Sequence, residues 1–478
     1  MSTWLGLAWP LLPLSALLLV PLSYWGALRW VNGRRRPGEP PLIRGRIPGL
    51  GVALDFGRNA TEFVTRCRER YGETFTLFIG GRRMTFVLDP MSYPAVLKSK
   101  QLSFHPVSDA VLQQAFKLPD IAAQIDLPAA EDLARSHLKG EALNAMTDAM
   151  GERLRELMPE AVNESWEEHP LYALVWRLMF RAGTDTLFGR GLVTPQLAED
   201  FEVFDEQFPL MVAGLPRQLV RRGEEALQRL AAVPPMGDDP SPWIRDRHPL
   251  FEGVDPTVYG RAQTSILWAV NANTIPATFW AVYQLLGCPE GLDAVRRELA
   301  DVGIERAHDL DIRGLEGLRK LDSAIREALR LSSGSMTVRE ALEDCTLETR
   351  DGTHRLRRGD RVCLAPFITH RDVEIYPDPE RYIFDRFYIP SGVKTFTKGG
   401  ERVPLPLMPF GAGASMCPGR FFALNEIKLF VATALLEWEM DFAAAKGAPP
   451  RFDFSRAGLG IYPPMEDVSV RIRQRPPM

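Results

Sequence analysis

The sequence predicts a mainly α fold with a smaller β region, preceded by a single N-terminal transmembrane helix. Three observations predict it. No charged side chain occurs between Met1 and Leu28. Helical periodicity fills most of the chain from residue 131 to Leu286, and β-formers gather around residues 74–88 and 336–367.

Taken in order, the uncharged N-terminus is long enough to cross a hydrocarbon core of about 30 Å as a helix. Arg29, Arg34, Arg35 and Arg36 follow it, which keeps the rest of the chain cytosolic by the positive-inside rule. A cleaved signal peptide would begin with basic residues and have a shorter apolar run. Residues 1–30 are therefore read as a retained anchor, 31–48 as a basic, proline-rich hinge containing Pro37-Gly38-Glu39-Pro40-Pro41, and 49–478 as one large domain. Nearly half of the 478 residues are apolar, and the net charge of −4 gives no reason to expect a nucleic-acid partner. The five cysteines (Cys67, Cys288, Cys345, Cys363, Cys417) form no C-x-x-C pair, so a reducing compartment without disulfides is expected.

Thr74 to Leu88 reads as a hairpin turning at Gly80-Gly81. Helices are expected over 131–157, 168–188, 199–213 and 217–232. The longest helix starts at an Asp255 cap with Pro256 in its first turn and runs to Leu286 before Gly287 stops it. About thirty residues make a rod of roughly 45 Å. Polar residues in its apolar middle, Asn271, Asn273, Thr274 and Thr278, need partners or a task. Pro276 lacks an N–H, so the Ala272 carbonyl loses its helical donor and the helix is expected to kink or open there. Trp268, Asn271, Thr274 and Thr278 share one face. Thr274 either bonds back to the carbonyl four residues earlier or does chemistry.

A further helix, from about 318 to 331, carries Glu327 and Arg330 at i, i+3. Strands follow over 336–347 and 355–367. The last landmark is Pro409-Phe410-Gly411-Ala412-Gly413-Ala414-Ser415-Met416-Cys417-Pro418-Gly419-Arg420, a glycine-flanked cysteine before an apolar helix from Phe421 to Trp438. A thiol at the positive end of a helix is favoured as thiolate, the metal-binding form. Taken alone, it could equally be a buried, inert cysteine.

The spacing Phe410, Gly413, Cys417, Gly419 resembles the haem-binding loop of the cytochrome P450 monooxygenases, and the likeness extends over essentially the whole chain. The resemblance implies the P450 fold, with haem b as cofactor and the Cys417 thiolate as axial ligand of its iron. Phe410, Gly411 and Gly419 would lie at the haem. It places Thr274 on the threonine over the oxygen-binding face. Asn273 stands where an acid is usual, and it can hold a water but cannot exchange a proton. Glu327, Arg330 and Arg386 become a structural lock on the loop that presents Cys417. Ser415 stands where the family has a propionate-binding Arg or His. Arg339 is then the candidate replacement, and Arg135 and His137 are stand-ins for a missing Trp-x-x-x-Arg contact. His370 is read as a loop residue rather than a ligand. Arg36 to Ile43, Ala272 to Pro276, Glu327 to Ser333 and Pro418 to Leu424 are similar to the sterol-acting branch that contains the oxysterol and steroid 7α-hydroxylases. The implied reaction is 7α-hydroxylation of a sterol substrate in bile acid synthesis and oxysterol metabolism. Electrons would come from NADPH through NADPH-cytochrome P450 reductase, at the endoplasmic reticulum membrane. Trp268 and Asn271 would touch the sterol, Phe208 to Pro216 would dip into the lipid bilayer, and Lys398, Arg402 and Arg420 would form a reductase-docking face. The same fold also serves isomerases that rearrange a peroxide, and a haem or lipid carrier without chemistry is the alternative from another class.

Overall fold

The structure, a computed structural model, describes residues 34–45, 51–391, 394–444 and 447–475. The expected anchor, residues 1–30, lies outside these. Among the described residues no helix is long and apolar enough to cross a membrane. The chain forms two compact units, one of residues up to Phe104 together with Thr337–Ile368, the other of His105–Met336 and Thr369–Met478.

The first unit is built on a six-stranded sheet in the order Leu42–Ile43, Thr74–Ile79, Arg82–Val87, Arg361–Leu364, Thr337–Ala341, Leu102–Ser103. The expected hairpin is its centre, with Thr74 opposite Val87 and Ile79 opposite Arg82. Gly80 and Gly81 both have positive φ, the backbone that a two-residue turn requires when it must match the twist of its strands. The two strands expected over 336–347 and 355–367 are four. Cys345–Thr349 and Gly352–Leu356 pair as a separate hairpin, because Arg350 and Asp351 turn the chain back on itself. The proline-rich stretch, read as a hinge, is docked here rather than free. Glu39 is buried, ion-paired to Arg357 at 2.5 Å and to Arg83 at 2.9 Å, and Arg83 continues to Asp360 at 3.1 Å. Burial raises the Glu39 pKa, but hydrogen bonds and the two arginines bring it below the ordinary carboxylate value.

The second unit is mainly helical and holds the continuous apolar core. Its longest element, Pro256–Leu286, has the expected bounds, and the Asp255 carboxylate accepts from the backbone N–H groups of Thr257 and Val258. The helix is unbroken through Pro276, so the expected opening does not interrupt it. The helix expected over 131–157 is two, Leu127–His137 and Gly140–Ala161. Gly140 adopts φ +57°, a left-handed backbone that breaks the helix between them. Residues Glu167–Pro170 form a strand beside Ser469–Gln474, and Leu171–Phe188 begins after it. The helices expected over 199–213 and 217–232 are Pro195–Val212 and Arg217–Ala231, and they pack together. Arg319–Ser332 carries Glu327, and Arg420–Glu437 follows the cysteine.

Candidate active site

The loop before Arg420–Glu437 is shaped by its backbone. Gly411 and Gly413 have φ +69° and +70°, a region costly for residues with a Cβ. Gly419 differs: its φ of −80° is open to any residue, and an added Cβ would lie 3.9 Å from the Cys417 sulfur. The loop closes on itself through the Cys417 N–H, which donates to the Phe410 carbonyl at 3.0 Å, and the Gly411 N–H, which donates to the Met408 carbonyl. Cys417 is exposed, whereas Cys67, Cys345 and Cys363 are buried and Cys288 is half-buried. Burial pushes the Cys67 thiol up to about 11 and the Cys363 thiol up to about 12, so neither is a ready thiolate. For Cys417 desolvation also acts upward. The Gly419 and Arg420 backbone N–H groups and the Arg420 charge pull the other way without cancelling it. The helix end therefore only partly offsets the desolvation by the loop around this otherwise exposed residue, and a cation bound at the sulfur would complete the ionisation.

This loop is held by a buried polar chain. Glu327 and Arg330 are fully buried, with Arg330 Nε and Nη2 donating to the two carboxylate oxygens at 2.7 and 2.8 Å. Arg386 Nε donates to Glu327 Oε1 at 2.8 Å. Both guanidiniums spend their remaining donors on carbonyls: Arg330 on His370 and Pro379, Arg386 on Pro377 and Asp378. The charges are thus paired and hydrogen-bonded, the condition under which burial is tolerable. His370, read from the sequence as an ordinary loop residue, is the next link. Its ring is fully buried and its Nε2 accepts the Met408 N–H at 3.1 Å. The lock therefore reaches the cysteine loop through one imidazole.

Burial, with Arg330 and Arg371 adding to it, lowers the His370 pKa from 6.5 to about 3. The folded protein binds this proton less readily than the unfolded chain. The stability it contributes is present in full above pH 6.5 and falls by about 1.4 kcal/mol per pH unit as pH drops toward 3. Denaturant unfolding across that window should lose one proton's worth of slope in His370→Gln, which keeps an acceptor for Met408. An unchanged slope would contradict the assignment.

The long helix presents its polar residues differently from the expected single face. Ala269 is exposed and Asn273, one turn on, is half-buried, so these two share the open side. The Asn273 Oδ1 accepts the Ile461 N–H at 2.9 Å. A Cβ on Gly460 would sit 2.0 Å from that oxygen, which makes glycine obligatory there. Asn273 thus fastens the C-terminal loop to the helix. Thr274 is buried and donates to the Val270 carbonyl at 2.7 Å, the back-bonded arrangement, while Thr278 donates to the Thr274 carbonyl. Asn271 turns toward the helix Leu171–Phe188. It is 2 % exposed and donates to the Leu267 carbonyl and to Thr184, which makes it a helix-packing residue. The Trp268 indole N–H is taken by Asp205 at 2.7 Å and its ring stacks on Phe208 at 3.8 Å, leaving only ring surface to offer.

The remaining cation candidates are engaged. Arg135 pairs with Glu131 and Asp132 of its own helix, and His137 with Asp246. Lys398 pairs with Asp372. Arg420 lies over the Phe421 ring, whereas Arg402 is exposed. In the first unit, Arg339 is buried on its strand, donates to the Val338 carbonyl and lies 5.6 Å over the Phe104 ring, and desolvation lowers its pKa. Among the described residues no cluster of three or more metal-ligating side chains forms. A metal at Cys417 would take this one protein sulfur and complete its coordination from a larger group, which fits a haem. Cys417 would ligate it, with Phe410, Gly411 and Gly419 forming the loop around the sulfur.

These features fit a protein that holds haem through a cysteine thiolate. The chain belongs to the cytochrome P450 family: the model of that family, "Cytochrome P450", matches residues 261–468. Within it, the chain falls in the sterol 7α/12α-hydroxylase branch. It is 35% identical to "Cholesterol 7-alpha-monooxygenase" of Cricetulus griseus, over 92% of this chain and 94% of that one. It is 36% identical to "Cytochrome P450 7B1" of Mus musculus over 92% of each. It is also 35% identical to "Prostacyclin synthase" of Rattus norvegicus, over 92% and 95%. In fold it matches "Retinoic acid bound cyanobacterial CYP120A1" with a TM-score of 0.71 at 19% identity, over 91% of this chain and 99% of that chain.

Proposed function

We propose that the protein hydroxylates oxysterols or related 3β-hydroxysteroids at the 7α position, consuming dioxygen and electrons delivered from NADPH by NADPH-cytochrome P450 reductase. The observation that carries the chemistry is Cys417, exposed at the foot of a helix on a loop locked from within by His370, Arg330 and Glu327. When bound, haem supplies the activation of dioxygen.

The chain's own residues do the rest. Cys417 would hold the group, and Arg339 is the proposed propionate cation. Asn273, on the open side with Ala269, would hold a water with its amide while Thr274 lies one residue on. The Trp268 ring is the proposed sterol contact. Leu210, Leu215 and Leu219 are exposed at the ends of two helices and are the proposed bilayer contacts. Phe208 and Met211 belong to the core instead. With residues 1–30 as anchor, the proposed site of action is the endoplasmic reticulum membrane.

The alternative chemistry is rearrangement of a peroxide, favoured by the absence of a titratable acid at Asn273. A panel of oxysterols and 3β-hydroxysteroids, incubated with reductase and NADPH, separates the two. A 7α-hydroxylated product formed with stoichiometric loss of NADPH is expected. Rapid turnover of a lipid peroxide without NADPH would favour the isomerase.

A further inference from the structure

The first unit carries charge at its surface that the fold itself does not use. Arg36 and Glu39 of the docked proline-rich stretch line a cleft of about 590 Å³ together with Asp344, Thr346, Arg355 and Arg357. The two sides are stitched at Gly38, whose carbonyl accepts the Arg355 N–H at 2.8 Å. Having no side chain there leaves room for the Arg355 stem, which runs 3.1 Å from where a Cβ would stand. Arg36 and Arg355, distant in sequence, are thereby held at one opening.

The neighbouring acids are already spent. Glu39 takes Arg83 and Arg357, and Asp360 takes Arg83. The guanidiniums of Arg36 and Arg355 are exposed and have no carboxylate partner among the described residues. Besides these two cations the opening holds the exposed Thr346 and one exposed carboxylate, Asp344, whose Oδ1 accepts the Arg358 N–H at 2.8 Å.

Two guanidiniums at one opening repel each other unless an anion joins them, and their planar fork suits a phosphate. The place of the cleft in the chain indicates where that phosphate comes from. The stretch from residue 30 to Arg36, fully extended, spans at most about 20 Å. With residues 1–30 as anchor, the cleft is tethered within reach of the headgroup layer. The charges narrow the headgroup further, because two cations and one anion match a headgroup that carries two anions and one cation. We propose that this cleft binds one phosphatidylserine headgroup, with Arg36 and Arg355 taking its phosphate and carboxylate and Asp344 its ammonium. Half of the site lies on the hairpin that ends at Leu356, which separates it from a diffuse attraction of Arg34, Arg35 and Arg36 to an anionic surface. The lipid as source rests on the anchor reading above.

The test titrates the full-length protein in detergent with dioctanoyl phosphatidylserine, phosphatidylglycerol and phosphatidylcholine, and with inorganic phosphate. Saturable binding of one phosphatidylserine per protein is expected, with phosphatidylglycerol weaker and the other two weaker still. Arg36→Gln and Arg355→Gln should each weaken it about fivefold, with the denaturant midpoint unchanged. Asp344→Asn can still accept from Arg358. It should weaken phosphatidylserine binding while strengthening that of phosphatidylglycerol, whereas a diffuse field would strengthen both. The inference is overturned by no saturable binding, by phosphate binding as tightly as the lipid, by full binding in Arg355→Gln, or by stronger phosphatidylserine binding in Asp344→Asn. Binding in detergent is read whether or not residues 1–30 span a bilayer. If alkaline carbonate strips the protein from membranes while the lipid still binds at the cleft, the anchor reading fails and the cleft stands.

Discussion

Cys417→Ala removes the red-shifted Soret band that a thiolate-ligated haem shows with carbon monoxide, and turnover falls to the background of the haem-free protein. The expectation follows from the contrast among the cysteines. Three of the other four are buried, and burial raises the thiol pKa of each. None is placed to take over. The substitution should cost the apoprotein little, because truncating an exposed side chain away from the core typically changes stability by about 0.5 kcal/mol or less. The two effects are thus separable: folding nearly unchanged, ligation lost. Cys417→Ser should behave alike, since a hydroxyl is far harder to ionise than a thiol. A retained red-shifted band in either variant would place the axial ligand elsewhere.

Glu327→Ala produces the largest loss of stability expected for a single substitution in this chain. It strands Arg330 and Arg386, 0 % and 7 % exposed, without a counter-charge. Removing one partner of a buried ion pair costs about 3–5 kcal/mol, and here two cations are left rather than one. Arg330→Lys is also expected to be severe. The guanidinium reaches two carboxylate oxygens and two carbonyls in a fixed fork, and an ammonium has neither the number of donors nor their directions. Because Arg330 holds the His370 carbonyl and His370 holds Met408, the disturbance should reach the cysteine loop. Denaturant unfolding together with carbon monoxide spectra checks this. A lowered midpoint accompanied by loss of the thiolate band is expected. A variant with wild-type stability would show that the lock is dispensable.

The fold was legible where the sequence carries strong local signals. Asp255, Pro256 and Gly287 bound the long helix correctly because capping and stop signals act through backbone groups beside them. The Gly80-Gly81 hairpin was legible for the same reason. Gly140, by contrast, sits inside a convincing helical period, and only its left-handed backbone reveals the break before it. Within the site, Cys417, Glu327, Arg330 and Arg386 could be named from the resemblance of their motifs to those of the cytochrome P450 family. What each polar residue of the long helix faces could not, since a helix with apolar residues on every side has no distinctive face. Asn271 and Thr274 point into helix packing and Asn273 to the open side, which is set by neighbours distant in sequence. His370 was missed because one histidine beside Arg371 and Asp372 reads as a surface turn.

The central claim, that this is a monooxygenase rather than an isomerase or a carrier, is tested most directly by turnover under isotopically labelled dioxygen with reductase, NADPH and an oxysterol. The product is expected to carry one labelled oxygen atom in a new 7α-hydroxyl, with one NADPH consumed per product. A product without label, or one formed from a peroxide with no NADPH consumed, would contradict it.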